Sequence, residues 1–197
     1  MTKNFRALFY ISTLLLLSFN QTKAQKTGNF IKASIGFASS SSLYIENYGQ
    51  QDEVDVMGSG FYTEGEYVFG ITSWFSVRPY AGIILTSPDK NPELQNQPQY
   101  KVNTRAFLVG GKIRLCAPIP WVAPFIETGI GASIGSFETF TPSHNFNKSD
   151  VLMHIPINLG LAVGPKNNIE IAVSFYVHPA AKQSTGIFAA GFSFPID

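Results

Sequence analysis

The chain is 197 residues long and close to neutral, with 14 Lys and Arg against 13 Asp and Glu. No basic field is present to gather nucleic acid, and no like-charged run marks an interaction tail. A single cysteine, Cys116, excludes an internal disulfide and any two-cysteine metal site.

Residues 1–24 read as a cleaved export signal. Lys3 and Arg6 precede an apolar run from Ala7 to Phe19, and Thr22-Lys23-Ala24 puts small residues at the two positions a signal peptidase reads. The run falls well short of the roughly 20 residues a membrane helix needs. Cleavage after Ala24 is therefore expected, leaving residues 25–197 as one domain. It removes three basic residues and no acid, and no cysteine follows to carry a lipid anchor. With 17 Phe, 8 Tyr and 17 Gly, the composition leans toward sheet.

Beyond residue 24 no segment keeps helical spacing, whereas alternation with period two appears eight times. The spacing predicts strands at about 28–37, 58–69, 74–86, 102–116, 123–135, 152–164, 168–178 and 186–195. In the first, Ile31, Ala33, Ile35 and Phe37 oppose Lys32, Ser34 and Gly36. In the second, Phe61, Tyr67 and Phe69 oppose Tyr62, Glu64 and Glu66. The third sets Phe75, Val77, Pro79, Ala81, Ile83 and Leu85 against Ser76, Arg78, Tyr80, Gly82 and Ile84. The fourth sets Phe107, Val109, Ile113 and Leu115 against Gly110, Lys112 and Arg114. In the fifth, Ile126, Ile130 and Ile134 oppose Glu127, Gly129, Gly131 and Ser133. The sixth alternates Met153, Ile155, Ile157, Leu159, Leu161 and Val163 with His154, Pro156, Asn158, Gly160, Ala162 and Gly164. The seventh has Ile169, Ile171, Val173, Phe175 and Val177 on one side and Glu170, Ala172, Ser174, Tyr176 and His178 on the other. The eighth places Phe188, Ala190, Phe192 and Phe194 against Ala189, Gly191 and Ser193.

Alternation alone also fits a sandwich or a lipocalin-type barrel, so the polar face has to decide. It carries Lys32, Glu64, Glu66, Arg78, Lys112, Arg114, Glu127 and Glu170, balanced in sign and interspersed with Gly and Ser. A soluble exterior would be denser in charge and poorer in glycine. The interior of a narrow lipid-bound barrel needs small residues for room and opposite charges to pair. The oily face bears no charge in its central stretches; Arg105 shares its parity only at the loop end of the fourth strand, within reach of headgroups. The expected fold is an all-β, eight-stranded antiparallel up-and-down transmembrane barrel.

The connections agree with this reading. Gaps run long (38–57), short (70–73), long (87–101), short (117–122), long (136–151), short (165–167), then moderate (179–185), the alternation of external loops with periplasmic turns. Both termini are then periplasmic. Trp74 and Trp121 fall beside short turns and Phe194 near the lower end of the last strand, where an interfacial aromatic belt belongs. Pro156 removes a ladder donor inside a strand without a free edge, so a bulge or local irregularity is expected there.

These segments resemble the small outer-membrane β-barrel domain proteins, a porin-like group related in architecture to the transmembrane part of outer membrane protein A. The likeness rests on the export signal, SVRPYAGIIL (76–85), PFIETGIGASIG (124–135), HIPINLGLAVG (154–164) and the aromatic end GFSFPI (191–196). It implies a Gram-negative outer membrane, contact with its lipid and lipopolysaccharide, and delivery by the barrel-insertion machinery. Pro195, Ile196 and Asp197 after Phe194 depart from a chain-terminal aromatic.

Candidate chemistry is sparse. A tight turn at 70–73 would put Glu66 across from Arg78 and Glu64 across from Tyr80, and the turn at 117–122 would put Lys112 opposite Glu127. Such a network fills a lumen that eight strands leave just wide enough for side chains; a gated proton or ion path is the functional alternative. His154 and His178 point inward near the external ends of neighbouring strands and His144 lies in a loop, but no third ligand has a defined spacing, so no metal or cofactor is expected. Lipid A deacylases of similar shape carry His-x-Ser-Asn near the last external hairpin. The corresponding residues here, His178-Pro179-Ala180-Ala181, put alanine at the nucleophile position. Ser184 has no secured base. The acidic cluster Asp52, Glu53 and Asp55 lacks calcium-loop spacing, and with the stretch Phe137 to Asn147 it offers loop surface for an envelope protein or an extracellular ligand. The expectation is a non-enzymatic barrel with a structural, adhesion or envelope-assembly role; the alternatives are a lipid A-modifying enzyme and a narrow channel.

Overall fold

Which way the charged row faces determines what surrounds the sheet, and the structure, a computed structural model, turns it inward. It describes residues 27–42, 57–88, 101–141 and 144–196; the export signal and the Asp52, Glu53, Asp55 cluster lie outside them. Eight strands follow in order: β1 (Gly28–Ser42), β2 (Met57–Gly70), β3 (Phe75–Pro88), β4 (Lys101–Cys116), β5 (Trp121–Thr141), β6 (His144–Gly164), β7 (Ile169–His178) and β8 (Gln183–Pro195). Each pairs antiparallel with its neighbour, and β8 pairs with β1 to close the barrel. No strand in the closed part keeps an open edge, which is what backbone N–H and C=O groups need in hydrocarbon.

Partners followed once around the wall run from Asn29 through Phe69, Val77, Ile113, Thr128, Ile157, Phe175 and Gly186 to Ser39. The start and end lie ten residues apart on β1, a shear of ten. For eight strands that corresponds to a tilt of about 40° and an interior that side chains fill. The alternation in the sequence then sorts itself by side. Ile35, Phe37, Ile130, Leu159 and Phe188 are more than half exposed on the outside, while all eight charged residues of the polar row are at most 5% exposed. An apolar exterior around an ionic interior is the inverse of a water-soluble barrel, and it is the distribution of a barrel that sits in lipid.

Two expectations are corrected, and the local irregularity expected at Pro156 takes the form of a gap in the ladder rather than a bulge. The β2–β3 connection is wider than a tight hairpin: Gly70 pairs with Ser76, and the Thr72 hydroxyl accepts from the backbone N–H of Phe75 at 3.0 Å while Thr72 N–H donates to the Phe75 carbonyl at 3.1 Å. This shifts the register by two, so Glu66 faces Tyr80 and Glu64 faces Gly82. The β4–β5 turn is wider in the same way, with Cys116 opposite Phe125 and Ala117 N–H donating to the Pro124 carbonyl. Arg114 therefore faces Glu127, and Lys112 faces Gly129.

The second correction concerns 136–151. It is not an open loop, because β5 and β6 pair through Thr141 and His144, with β4 beside β5 as far as Phe140, so Phe137, His144 and Asn147 lie in a hairpin that runs past the end of β7. At Pro156 the ladder to β5 breaks, but the register is the same on both sides, so no residue is inserted. Pro79 makes the same kind of gap against β2. A proline lacks the donor, and the strand passes it without bulging.

Candidate functional site: the polar lumen

Inward positions of all eight strands converge on one column of polar side chains. At the end of the barrel that holds the short turns, the layer is ionic. Arg114 reaches Glu170 through both Nη1 and Nη2 at 2.6 Å and Glu127 through Nε at 2.6 Å. Lys112 Nζ donates to Glu64 at 2.5 Å and Glu66 at 2.6 Å. Lys32 bridges Glu170 at 2.8 Å and Glu66 at 3.3 Å. Arg78 Nη1 donates to Glu66 at 3.0 Å and lies 3.4 Å from Glu127. Asn158 Nδ2 donates to the second oxygen of Glu127 at 2.5 Å. The Arg114 guanidinium also lies 3.5 Å from the centre of the Phe125 ring. Four cations and four carboxylates thus neutralise one another in a site almost closed to solvent, the condition on which buried charge is retained.

The middle layer is aromatic and neutral. Tyr176 donates to Glu64 at 2.5 Å and lies 3.3 Å from the Tyr62 hydroxyl. Tyr80, whose ring faces Lys112 Nζ at 4.7 Å, meets His154 Nε2 at 2.5 Å. Ser133 Oγ lies 2.7 Å from His154 Nδ1 and 2.8 Å from His178 Nε2. Gly110 and Gly131 make the space: a Cβ on Gly110 would stand 2.7 Å from the Tyr80 hydroxyl, and one on Gly131 would collide with that hydroxyl and His154. Above this, Gln183, Thr104, Ser40, Thr185 and Thr139 form a third, uncharged network.

His154 and His178 thus meet through Ser133, and no group of three metal-ligating side chains is found among the described residues. Sequence reading missed Tyr62, Tyr176, Ser133 and Asn158 as members of the network, though each shares the parity of the charged row. On the outside at the turn end, Trp74, Trp121 and Phe194 are each more than half exposed, and Tyr67, Phe69 and Phe192 are exposed to a lesser degree beside them. Arg105 is exposed on the outer face, beyond Leu85 and Phe107.

No family model and no curated protein sequence matches the chain. Among solved structures it is similar to neisserial surface protein A, with 12% identity and a TM-score of 0.56 over 86% of this chain and 97% of that one. The attachment invasion locus protein Ail of Yersinia pestis aligns at 17% identity and TM-score 0.46, over 85% and 99% of the two chains. The outer membrane enzyme PagL aligns at 15% and 0.45, also over 85% and 99%. The likeness to the neisserial protein is one of fold, and together with the closed wall and inward charges it gives this chain the architecture of the small eight-stranded outer-membrane barrels.

Proposed function

We propose that the chain is a non-enzymatic integral protein of the Gram-negative outer membrane, exported by a cleaved signal, whose barrel anchors and displays external loops for a structural, adhesive or envelope-assembly role. The observation that carries this is the inside-out distribution of charge, since only hydrocarbon suits an exterior of Ile, Leu, Val and Phe. Aromatic side chains gathered at the turn end support an interface with headgroups there, and both termini then face the periplasm. The β5–β6 hairpin and the connections beside it carry the display surface, with an envelope protein or an extracellular ligand as partner. Lipid and lipopolysaccharide surround the wall, and the barrel-insertion machinery delivers it.

The membrane reading is tested by extraction and labelling. The mature chain should resist carbonate and shift in gel mobility on heating. With Cys116 replaced by Ala, a cysteine at Ser149 should react with an impermeant maleimide on intact cells, and one at Lys166 only after lysis. A carbonate-soluble protein without a heat shift ends the reading, and the reverse labelling pattern ends the orientation. Crosslinking from residues 40–55 and 137–147 then identifies the partner.

One observation favours a second reading, lipid A hydrolysis: Ser133 is hydrogen-bonded to two histidines, as a nucleophile beside its base would be. Its position argues against it. Ser133, His154 and His178 are all fully buried in the lumen, so an acyl ester outside the wall cannot come within the roughly 3 Å that attack requires. Lipid A mass spectra that change when the chain is expressed would reinstate the enzyme. A narrow channel is opposed by the filled lumen, and steady conductance in planar bilayers would reinstate it.

A further inference from the structure

At the turn end a cavity of about 250 Å³ opens below the ionic layer. Arg78 forms part of its floor and is 2% exposed. The bonds of that guanidinium run through Nε, to Ser76 Oγ at 3.0 Å, and Nη1, to Glu66; Nη2 makes no hydrogen bond among the described residues. A buried guanidinium with an unused pair of donors beside an open space is a recognition element for a planar anion. Ser76 adds to it, because its oxygen accepts from Arg78 and its own hydrogen is left to donate. Lys166, exposed in the β6–β7 turn, borders the mouth, and Phe30, Val68 and Pro195 form apolar walls.

We propose that this cavity binds a small organic carboxylate, its oxygens held by Arg78 Nη2 and Ser76 Oγ and its hydrocarbon part against Phe30, Val68 and Pro195. The charge of the ligand follows from the neighbours. Glu66, Glu127 and Glu170 lie 3.0 to 3.6 Å from Arg78 Nη1, so a dianion such as phosphate is repelled, whereas Lys166 offsets a single negative charge. Glu170 also lines the cavity, but its oxygens are taken by Arg114 and Lys32 and do not compete for Arg78 Nη2. The volume lies below the roughly 300–1,000 Å³ of drug-sized pockets, which sets a ligand of a few carbons. The site goes beyond the proposed role of the barrel and does not depend on which surface the loops recognise.

The test uses the mature chain refolded in detergent micelles and side-chain arginine NMR, with butyrate, butyramide and inorganic phosphate as probes. Residues 25–197 contain three arginines, Arg78, Arg105 and Arg114, so the signals are assignable and two serve as internal controls. Butyrate should move the Arg78 signals saturably with a Kd of about 1 mM, the affinity of a weak site worth about 4 kcal/mol. Arg105 and Arg114 should stay fixed, and butyramide should do nothing. Val68→Phe, which fills the space, should abolish the effect. Lys166→Gln should weaken it about fivefold, the effect of one exposed charge. Ser76→Ala, which leaves the charged residues in place, should also weaken binding and keeps the test available should Val68→Phe fail to fold. An unmoved Arg78 up to about 0.1 M butyrate, an equal response to butyramide or phosphate, or full binding by Val68→Phe or Ser76→Ala would overturn the assignment.

Discussion

Replacing Arg114 by Met tests the ionic layer most directly, because the substitution keeps the length and apolar stem of the side chain and removes only the guanidinium. Arg114 makes three hydrogen bonds of 2.6 Å, two to Glu170 and one to Glu127, at zero exposure. Removing one member of a buried pair costs about 3–5 kcal/mol, mostly from the carboxylates left behind. Here both keep other donors: Glu170 has Lys32 at 2.8 Å, and Glu127 has Asn158 and Arg78. The expected loss is therefore near the lower limit, about 3 kcal/mol. Adding Glu170→Gln restores neutrality, so the double variant should be more stable than the sum of the single losses by at least about 1 kcal/mol. Urea unfolding in lipid vesicles, followed by fluorescence of Trp74 and Trp121, measures both. A loss below about 1 kcal/mol, the size of an exposed ion pair, or a double variant no better than additive would refute the view that these charges stabilise one another.

Four further substitutions address the wall, the middle layer and the enzyme alternative. Ile157→Arg, on the oily row of β6, should cost about 2–4 kcal/mol and reduce insertion into vesicles, whereas Ser149→Arg in the hairpin should leave both unchanged; equal effects would remove the lipid-facing assignment. Gly131→Ala should destabilise by about 1–3 kcal/mol because Tyr80 and His154 have to move, as urea unfolding will show. Ser133→Ala strips His154 Nδ1 and His178 Nε2 of their shared partner and should cost about 1–3 kcal/mol while leaving lipid A acyl patterns as they are.

The face of each strand was legible because period-two alternation states it residue by residue, and a slip of one would have inverted the whole set. Register between strands was not legible. It depends on how each turn satisfies its own backbone, and the Thr72 hydroxyl widens the β2–β3 turn by a route no hydrophobic pattern records. Nor was the β5–β6 extension. Glu138, Thr139, Asn145, Asn147 and Ser149 are polar whichever way they point, because beyond the lipid both sides of the hairpin meet water or other polar groups. Strand pairing needs only backbone partners, so it continued where the alternation stopped.

The glycines of the charged row follow the same logic one step further. In a lumen of fixed width, every tyrosine admitted has to be matched by missing volume opposite. Tyr80 pairs across to Gly110, which pairs to Gly131, which pairs to His154, so one register line sets two adjacent bare backbones between two rings. Glycine on that row is thus the counterpart of the aromatic residues rather than a sign of weak sheet, and it makes the Tyr80, His154 and Ser133 contacts geometrically possible. A sequence with the same charges but alanine at both glycines would keep its alternation and lose this layer, since the rings would have nowhere to lie.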